Sequence, residues 1–445
     1  MPEKPERIRE AAFEAGIVGA GGAGFPTHVK LEARADTLII NGAECEPLLE
    51  TDLYLLKAFG DEVLEGAKLA SIALGAKRVV LAARVEDEAM RGHLEALCKR
   101  HKVEFFELEN VYPAGDEVVL TYTVTGRVVP EAGIPPQVGV VVHNVETLLN
   151  LARAVREGRP VTRTWVTVAG AVGRRIVVEA PVGMAVSELV EAAGGPTEAE
   201  VAALDGGPMT GNLLPSLDEP VLKTTKGLTI LPEGHPLIVK RKVPLTWTLR
   251  QARSACTQCI ECTLACPRRL LGHAIEPHKV MRAVSFGVTA GLEAVTCALL
   301  CPECGLCEFY VCPQRLLPRR VISEVKAEFQ RRGVRYPKTD REIRPDPFFE
   351  ARRIPRQRLS MRIGVWRYER EPAVFVKAKP PRVVRLRLKQ HVGAPARPKV
   401  KEGDEVKEGE VVAEPLPGDL GAKVHASISG RVVKVDQIEI VLEAG

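Results

Sequence analysis

Aromatic side chains are scarce in this 445-residue sequence, at 4% of positions, and no charge excess replaces them: 62 Lys and Arg stand against 57 Asp and Glu. Proteins that hold nucleic acid interleave stacking rings with basic residues, so nucleic acid is not an expected partner. A net charge of +5 names no other partner by itself. Long apolar runs are also missing. The most apolar stretch, Val280 to Leu300, is interrupted by Arg282 and Glu293, which argues against a transmembrane helix. The N-terminal stretch Met1 to Gly16 is charged and has no apolar centre of the kind a secretory signal needs. A soluble, cytoplasmic protein in a reducing compartment is therefore expected. Its length exceeds one ordinary core, so two to four domains are expected.

Cysteine, by contrast, is plentiful and local. Eight of the 11 cysteines fall in Cys256-x2-Cys259-x2-Cys262-x3-Cys266-Pro267 and Cys301-x2-Cys304-x2-Cys307-x4-Cys312-Pro313. Each run has the spacing of a bacterial ferredoxin, in which three thiolates of a tight turn and a fourth from farther away hold a [4Fe–4S] cube. In two-cluster ferredoxins the fourth cysteine of each run serves the other cube. The expected sets are therefore Cys256, Cys259, Cys262 and Cys312 for one cluster, and Cys301, Cys304, Cys307 and Cys266 for the second. Zinc sites also use thiolates but usually pair two separated Cys-x2-Cys knuckles. Disulfides fit poorly with clustered cysteines in a long chain lacking a secretory segment. Cys98 and Cys297 are expected to pack in the core; Cys45 belongs to a motif described next.

Early in the chain stands the glycine loop Gly19-Ala-Gly21-Gly22-Ala-Gly24-Phe25-Pro26-Thr27. A dinucleotide fingerprint follows a strand and opens a helix. Here a helical stretch, Arg7 to Ala15, precedes the loop and a strand, Thr37 to Ile40, follows it, so the usual Rossmann reading fails on context. What remains is a backbone able to approach a phosphate or a flat ring closely. The strand runs into the acidic turn Asn41-Gly-Ala-Glu44-Cys45-Glu46-Pro47, at the end where open α/β sheets place ligands. Helices (Glu50–Leu74, Asp87–Arg100) then alternate with strands (Arg78–Ala82, Val103–Glu107), which argues for a parallel sheet. Tyr112-Pro-Ala-Gly115-Asp116-Glu117 and His143-Asn144-Val-Glu-Thr147-Leu148 complete the set.

These four motifs, in this order, resemble the flavin-bearing NADH-oxidising subunit of respiratory complex I. They also resemble the C-type subunits of Rnf-type electron-transport complexes and the cobalamin reductases of propanediol-utilisation microcompartments. The resemblance implies that Gly19, Gly21, Lys30, Asn41, Glu44, Asn144 and Thr147 contact FMN, with Gly22, Gly24 and Gly115 completing the cofactor-binding set. It implies too that Phe25, Glu46 and Glu117 face the nicotinamide nucleotide. The chain departs from the complex I pattern at Ile134-Pro-Pro-Gln137, where a basic residue and an aromatic flank the Pro-Pro pair, and at His143, where a second Asn stands. The first departure weakens the expected adenine sandwich.

Downstream, strands Thr164–Ala169 and Ile176–Glu179, a helix from Val186 to Ala193 and a strand at Leu228–Leu231 follow a β-grasp order, similar to the soluble-ligand-binding module of the same families. Around its glycine-rich loop, Leu204 to Gly211, no converging titratable groups stand out, and a structural spacer between flavin and clusters is the expected role. Helices at Thr246–Ala255, Lys279–Leu300 and Pro318–Arg332 are expected to bracket the cysteine runs. The arginine-rich segment after them suits either a docking face for an acidic partner or a solvated, irregular connection, and the latter is the expectation. Short strands with Gly403-Asp404 and Gly418-Asp419 turns, and His425-Ala-Ser-Ile-Ser-Gly430, resemble a biotinyl/lipoyl barrel-sandwich. It lacks the Met-Lys-Met of a carrier, so no swinging arm is expected. Leu388-Lys-Gln-His391-Val-Gly393-Ala-Pro395 matches a signature of the Rnf C-type subunits and the cobalamin reductases, and its C-terminal position follows the cobalamin reductases.

The expected fold is thus multidomain α/β: an FMN-binding parallel-sheet domain (1–160), a β-grasp domain (161–240), an α-helical two-cluster ferredoxin domain (245–335), a basic linker (336–382) and a C-terminal β barrel-sandwich hybrid (383–445). By resemblance the chain is an NADH-dependent flavin and iron–sulfur oxidoreductase that reduces cobalamin or a corrinoid protein, with an adenosyltransferase as a possible partner and a microcompartment as a possible location. Two other readings stay open. One is a peripheral NADH-oxidising subunit of an Rnf-like membrane complex; the other is a ferredoxin-like adaptor that has lost NADH, which the Gln137 and His143 departures allow.

Overall fold

The computed structural model describes residues 3–287, 293–337 and 341–445. The first domain is built on a four-stranded parallel sheet of β1 (Thr37–Gly42), β2 (Arg78–Arg84), β3 (Glu104–Leu108) and β4 (Val140–Asn144), in the order β3-β2-β1-β4. The apolar runs of β1, β2 and β4 are what a sheet buried on both faces demands. Ile39 lies opposite Val80 on one side and Val142 on the other, and all three are buried. Successive crossovers lead from β1 through β2 to β3, and then the chain returns to the other side of β1. The order reverses between β1 and β4, where open α/β sheets leave a crevice at the strand ends. Asn41 and Asn144 are register partners at that crevice.

Helix α1 (Pro5–Glu14), α2 (Thr51–Leu74), α3 (Glu88–His101), α4 (Glu117–Thr125) and α5 (Val145–Glu157) cover this sheet. Asp87 caps α3 by accepting from the Met90 amide at 2.7 Å, and Lys99, Arg100 and His101 close it with positive charge. Helices α2 and α5 pack closely because Gly66 has no side chain: a Cβ there would lie 1.9 Å from the Leu148 carbonyl oxygen.

A six-stranded sheet forms the second domain. Its strands Arg163–Gly170, Ile176–Pro181, Val201–Asp205, Asn212–Leu213 and Gly227–Pro232 are joined by an outer strand, Val374–Lys377, which pairs in parallel with Ile176–Pro181. That outer strand overturns the expectation of an irregular connection after the cysteine runs. The same segment also holds Ile354–Pro355, paired antiparallel with Val111–Tyr112, and a helix, Arg356–Ile363. Its order has a physical source: Val374, Phe375 and Val376 supply β-forming side chains, and Phe375 stacks on Tyr54 at 5.4 Å.

Around the cysteines stand helices Leu245–Ala255, Pro277–Phe286 and Pro318–Arg331. The expected continuous helix from Lys279 to Leu300 is not formed. Gly287, at φ +66, closes the first part in a left-handed cap; residues 288–292 lie outside the described residues; and a short helix, Glu293–Thr296, leads on to Cys301. Cys98 and Cys297 are buried and pack in separate cores, as expected.

The C-terminal domain is a barrel of two small antiparallel sheets, Val383–Arg387 with Glu405–Val406, Gly430–Val435 and Glu439–Ala444, and Arg397–Pro398 with Val411–Glu414 and Val424–His425. Its Leu388–Pro395 segment reaches the first domain, where the Val392 amide donates to the Gly24 carbonyl at 3.0 Å. Beside it, buried Lys223 donates to the carbonyls of Gly16 (2.8 Å) and Lys423 (2.7 Å), tying three domains at one point.

Because a Gly66→Ala methyl would meet backbone rather than a movable side chain, G66A is expected to lose about 3 kcal/mol of stability by overpacking. Thermal unfolding of the two proteins checks this; an unchanged midpoint would show that α2 and α5 separate at little cost.

Candidate functional site

The glycine loop closes on itself. The Gly19 amide donates to the Phe25 carbonyl at 2.9 Å and the Gly24 amide to the Gly19 carbonyl at 3.1 Å, while the Ala20 amide is taken by Thr147 Oγ1 at 2.9 Å. Among the described residues nothing accepts from the amides of Gly21, Gly22 and Ala23, which lie exposed at the tip. Three consecutive free N–H groups form an anion-binding concavity. At Gly22, φ is +99 and a Cβ would meet only open space, so the tip is accessible from outside. On β4, His143 is buried and its Nε2 has no partner among the described residues. Burial first, and then the Lys30 charge, hold the ring well below its usual range, so it is neutral. An open amide nest and an orphaned ring nitrogen at neighbouring strand and loop ends fit a flat, phosphate-bearing group.

Behind the loop lies a buried charge network. Glu44, held at φ 37, accepts from the Asp52 and Leu53 amides at 2.9 and 3.0 Å and so caps α2. Burial, with Asp52 adding to it, pushes Glu44 up to about 7. Asn144 caps α5 through the Glu146 amide at 2.9 Å and donates to Asp52 Oδ2 at 2.9 Å. Lys226, from the β-grasp domain, reaches Asp52 at 2.7 Å and Glu146 at 2.9 Å. Burial pulls the lysine down, but the two carboxylates outweigh it and hold the ammonium above its ordinary range. Asn41 bridges the acidic turn to the Tyr112–Glu117 motif, donating to the Gly115 carbonyl at 3.0 Å; the Gly115 amide in turn donates to Cys45 Sγ at 3.4 Å. Burial pushes the Cys45 thiol up to about 12, so it is a packing group here.

The residues implied for the nicotinamide side are distributed differently. Glu117 pairs with Lys30 at 2.8 Å, and Phe25 is half-buried at the foot of the loop. Glu46 is already engaged: it accepts from the Met209 amide at 3.0 Å, the Thr210 amide at 2.9 Å and Thr210 Oγ1 at 2.6 Å. The Leu204–Gly211 loop, expected to be a spacer, thus grips the acidic turn. A Cβ on Gly207 would lie 2.4 Å from Glu46 Oε2, so only glycine admits this grip.

The cysteine runs form two turns of the same shape. Gln258 and Ile260 in the first, and Glu303 and Gly305 in the second, take left-handed backbone at equivalent positions, which turns three thiols of each run inward. Cys256, Cys259, Cys262 and Cys312 line one cavity with Met281 and Leu316. Cys262 is pushed up to about 12 by burial and then by Cys312, Cys259 and Cys256 close by; Cys301 is pushed up to about 12 by burial and then by Cys266. Cys304 likewise neighbours Cys266 and Cys301, and Cys307 neighbours Cys301 and Cys304. The first four thiols thus share one cavity, with Cys312 coming from the other run, and Cys266 lies near Cys301 and Cys304 of the second run. Among the described residues no three His, Cys, Asp or Glu side chains converge on a position for one ion. A ring of four soft donors around a cavity suits a polynuclear iron–sulfur group better than single zinc.

The second thiol group is joined to the first domain. Tyr112 donates its hydroxyl to the Cys304 carbonyl at 2.7 Å, and Arg268, just past Cys266-Pro267, pairs with Asp116 at 2.8 Å. Sequence reading missed these contacts, along with Asp52, Glu146 and Lys226. A signal for the last existed: a lysine, Lys226, at the mouth of the apolar strand Gly227–Pro232, and an acid, Glu146, on the mostly apolar face of an amphipathic helix.

Comparison with known proteins finds four family matches along the chain. Residues 12–153 match the Nuo51 FMN-binding domain, 165–213 the SLBB domain, 255–317 a 4Fe-4S dicluster domain and 368–445 the RnfC barrel sandwich hybrid domain. The chain is 41% identical over 448 residues to a cobalamin reductase PduS of Salmonella typhimurium, covering 100% of this chain and 98% of that one. It is 40% identical to the cobalamin reductase PduS of Citrobacter freundii, over 99% of this chain and 97% of the other. The C-type component of a Na(+)-translocating ferredoxin:NAD(+) oxidoreductase complex of Acetobacterium woodii is 32% identical over 60% of this chain and 58% of its own. Among solved structures, an NAD+-reducing [NiFe]-hydrogenase in the H2-reduced state shares the fold over 73% of this chain and 63% of its own, at a TM-score of 0.50 and 24% identity.

Two outcomes follow from the buried network. With Glu44 at about 7 when folded against 4.5 ordinarily, the folded chain holds a proton that the unfolded chain loses. The stability this side chain contributes is therefore full below pH 4.5 and falls as pH rises towards 7. Denaturant unfolding of E44Q is expected to show a shallower decline across that window than wild type. In K226M, Asp52 and Glu146 would stay buried without their cation, at a cost of about 3–5 kcal/mol; a cost under about 1 kcal/mol, by the same measurement, would mean the network is already neutral.

Proposed function

We propose, from the premise that this chain belongs to the PduS cobalamin reductase family, that it is an NADH-dependent oxidoreductase delivering electrons to the cobalt of a corrinoid. Bound FMN would supply acceptance of a hydride from NADH, and bound iron–sulfur cubes acceptance of single electrons, the chemistry by which a two-electron donor serves a one-electron acceptor. The chain's own residues do the holding. The free amides of Gly21, Gly22 and Ala23 at the tip of the Gly19–Gly24 loop, with Lys30, would receive the phosphate of FMN. Asn41, Glu44, Gly115, Asn144 and Thr147 frame the crevice at the ends of β1 and β4, and Phe25 and Glu117 line the side open to the nucleotide. In this reading Glu46 acts from behind, fixing the acidic turn against the β-grasp loop. Cys256, Cys259, Cys262 and Cys312 hold one cluster, and Cys301, Cys304, Cys307 and Cys266 the other.

The observation that carries the reading is the pair of contacts joining the two halves, Tyr112 to Cys304 and Asp116 to Arg268. They support it because they join Cys304 and Arg268 of the cysteine runs to the Tyr112–Glu117 motif. Among the described residues no helix is long and apolar enough to cross a membrane. We place the protein in the cytoplasm or the lumen of a microcompartment, with a corrinoid adenosyltransferase as the partner that would trap low-valent cobalt. The similarity to the A. woodii component favours one other reading, a peripheral NADH-oxidising member of an Rnf-like complex. Copurification with integral membrane proteins of such a complex would select it.

Anaerobic reconstitution tests the proposal. About eight iron and eight sulfide per chain are expected, with one FMN that bleaches on NADH addition and NADH-driven reduction of cobalamin. Zinc at the thiols or a colourless protein would refute the cofactor assignment; flavin bleaching without cobalt reduction would refute the acceptor.

A further inference from the structure

Beside the thiol groups lies an open cleft of about 640 Å³ that none of the assigned chemistry uses. One wall is the turn of Cys262, through Glu261 and Leu264; another is the stretch between Cys307 and Cys312, through Tyr310 and Val311. The remaining wall comes from the arginine-rich segment, through Arg352, Arg358, Met361 and Arg362. That segment contains two kinds of arginine. Arg353 pairs with Glu109 and Glu350, and Arg356 with Glu369, so these are structural. Arg352, Arg358 and Arg362 have no carboxylate partner among the described residues, and Glu261 is the one acid in the lining. Arg358 and Arg362 are exposed one turn apart on the helix Arg356–Ile363, so both point the same way. Large apolar groups stand exposed in the same segment: Phe348 at 61%, Met361 at 58% and Trp366 at 47%. Arg352 lies 5.9 Å over Phe348 and Arg370 5.3 Å over Trp366.

We propose that this cleft docks the acidic face of a protein electron acceptor. The inference rests on the reading of the chain as an electron-transfer enzyme. Unpaired guanidiniums are forks for carboxylates, and they occur here with exposed Met and aromatic residues, the composition that marks protein interfaces. The openness of the cleft argues against a small ligand, since small-molecule sites bury most of their ligand. Its concavity argues against a lipid surface, which is flat and would not enter the cleft. Its position fits the role, because both cysteine runs contribute to its walls. Charge-steered, quickly released contacts are what electron-transfer partners use.

The test uses the reconstituted full chain and flavodoxin, a small acidic redox protein, as the probe. Wild type is expected to bind flavodoxin with an affinity that falls as salt rises, and R358E/R362E to bind it about tenfold more weakly or worse. NADH-driven reduction of menadione, a small neutral acceptor, is expected to be the same in both. Equal flavodoxin affinity in the two proteins, binding indifferent to salt, or charge-dependent binding to phosphatidylserine vesicles in place of flavodoxin would overturn the assignment. Absence of menadione reduction in wild type would instead strike the NADH–flavin reading, because the binding comparison needs no turnover.

Discussion

A lysine buried between two carboxylates holds this molecule in register. Lys226 crosses from the β-grasp domain into the first domain and meets Asp52 at the start of α2 and Glu146 at the start of α5. Removing such charges from water costs several kcal/mol per ion, and the arrangement persists only because each partner is satisfied several times over. Glu146 also accepts from Thr164 Oγ1 and the Trp165 amide at 3.0 Å each, and Asp52 accepts from Asn144. The network therefore fixes two helix N-termini and a neighbouring strand together. Those helices begin where the acidic turn and the end of β4 leave the sheet, so the geometry of the crevice is set from behind by groups that do not line it.

The same logic recurs at the other joints. Glu46 is a half-buried acid satisfied by a loop of the next domain; Tyr112 and Asp116 reach into the thiol domain; and the Val392 amide of the barrel donates to the Gly24 carbonyl. Each motif bordering the crevice has one side facing it and one side anchored in a different domain. The barrel, which lacks a carrier lysine, has a structural explanation: its signature segment buttresses the glycine loop. Gly24 allows that contact, because a Cβ there would lie 2.9 Å from Thr224 and 3.2 Å from the His391 Cα.

The chemistry was more legible in the sequence than the joints were. The two cysteine runs are legible because thiolate geometry imposes local spacing, and residues 255–317 match a 4Fe-4S dicluster domain. The alternation around β1 to β3 was visible as apolar period and helix punctuation. The Lys226 network was not, since its members lie 80 residues or more from the lysine and nothing local distinguishes a paired lysine from a surface one. The break at Gly287 could have been anticipated, because glycine commonly ends helices. The strand Val374–Lys377 was hidden by its shortness and by the arginine and proline around it; only the waiting edge of another sheet makes it a strand. Glu46 shows the converse, a motif residue whose family role suggested a ligand and whose position here meets backbone amides.

That borrowed strand constrains how the polypeptide is made. The edge it covers belongs to residues 176–181, while the strand itself is 374–377, so the second domain is unfinished until both cysteine runs have left the ribosome. A polypeptide released any earlier carries an unpaired, apolar strand, the sort of surface on which chains stick to one another.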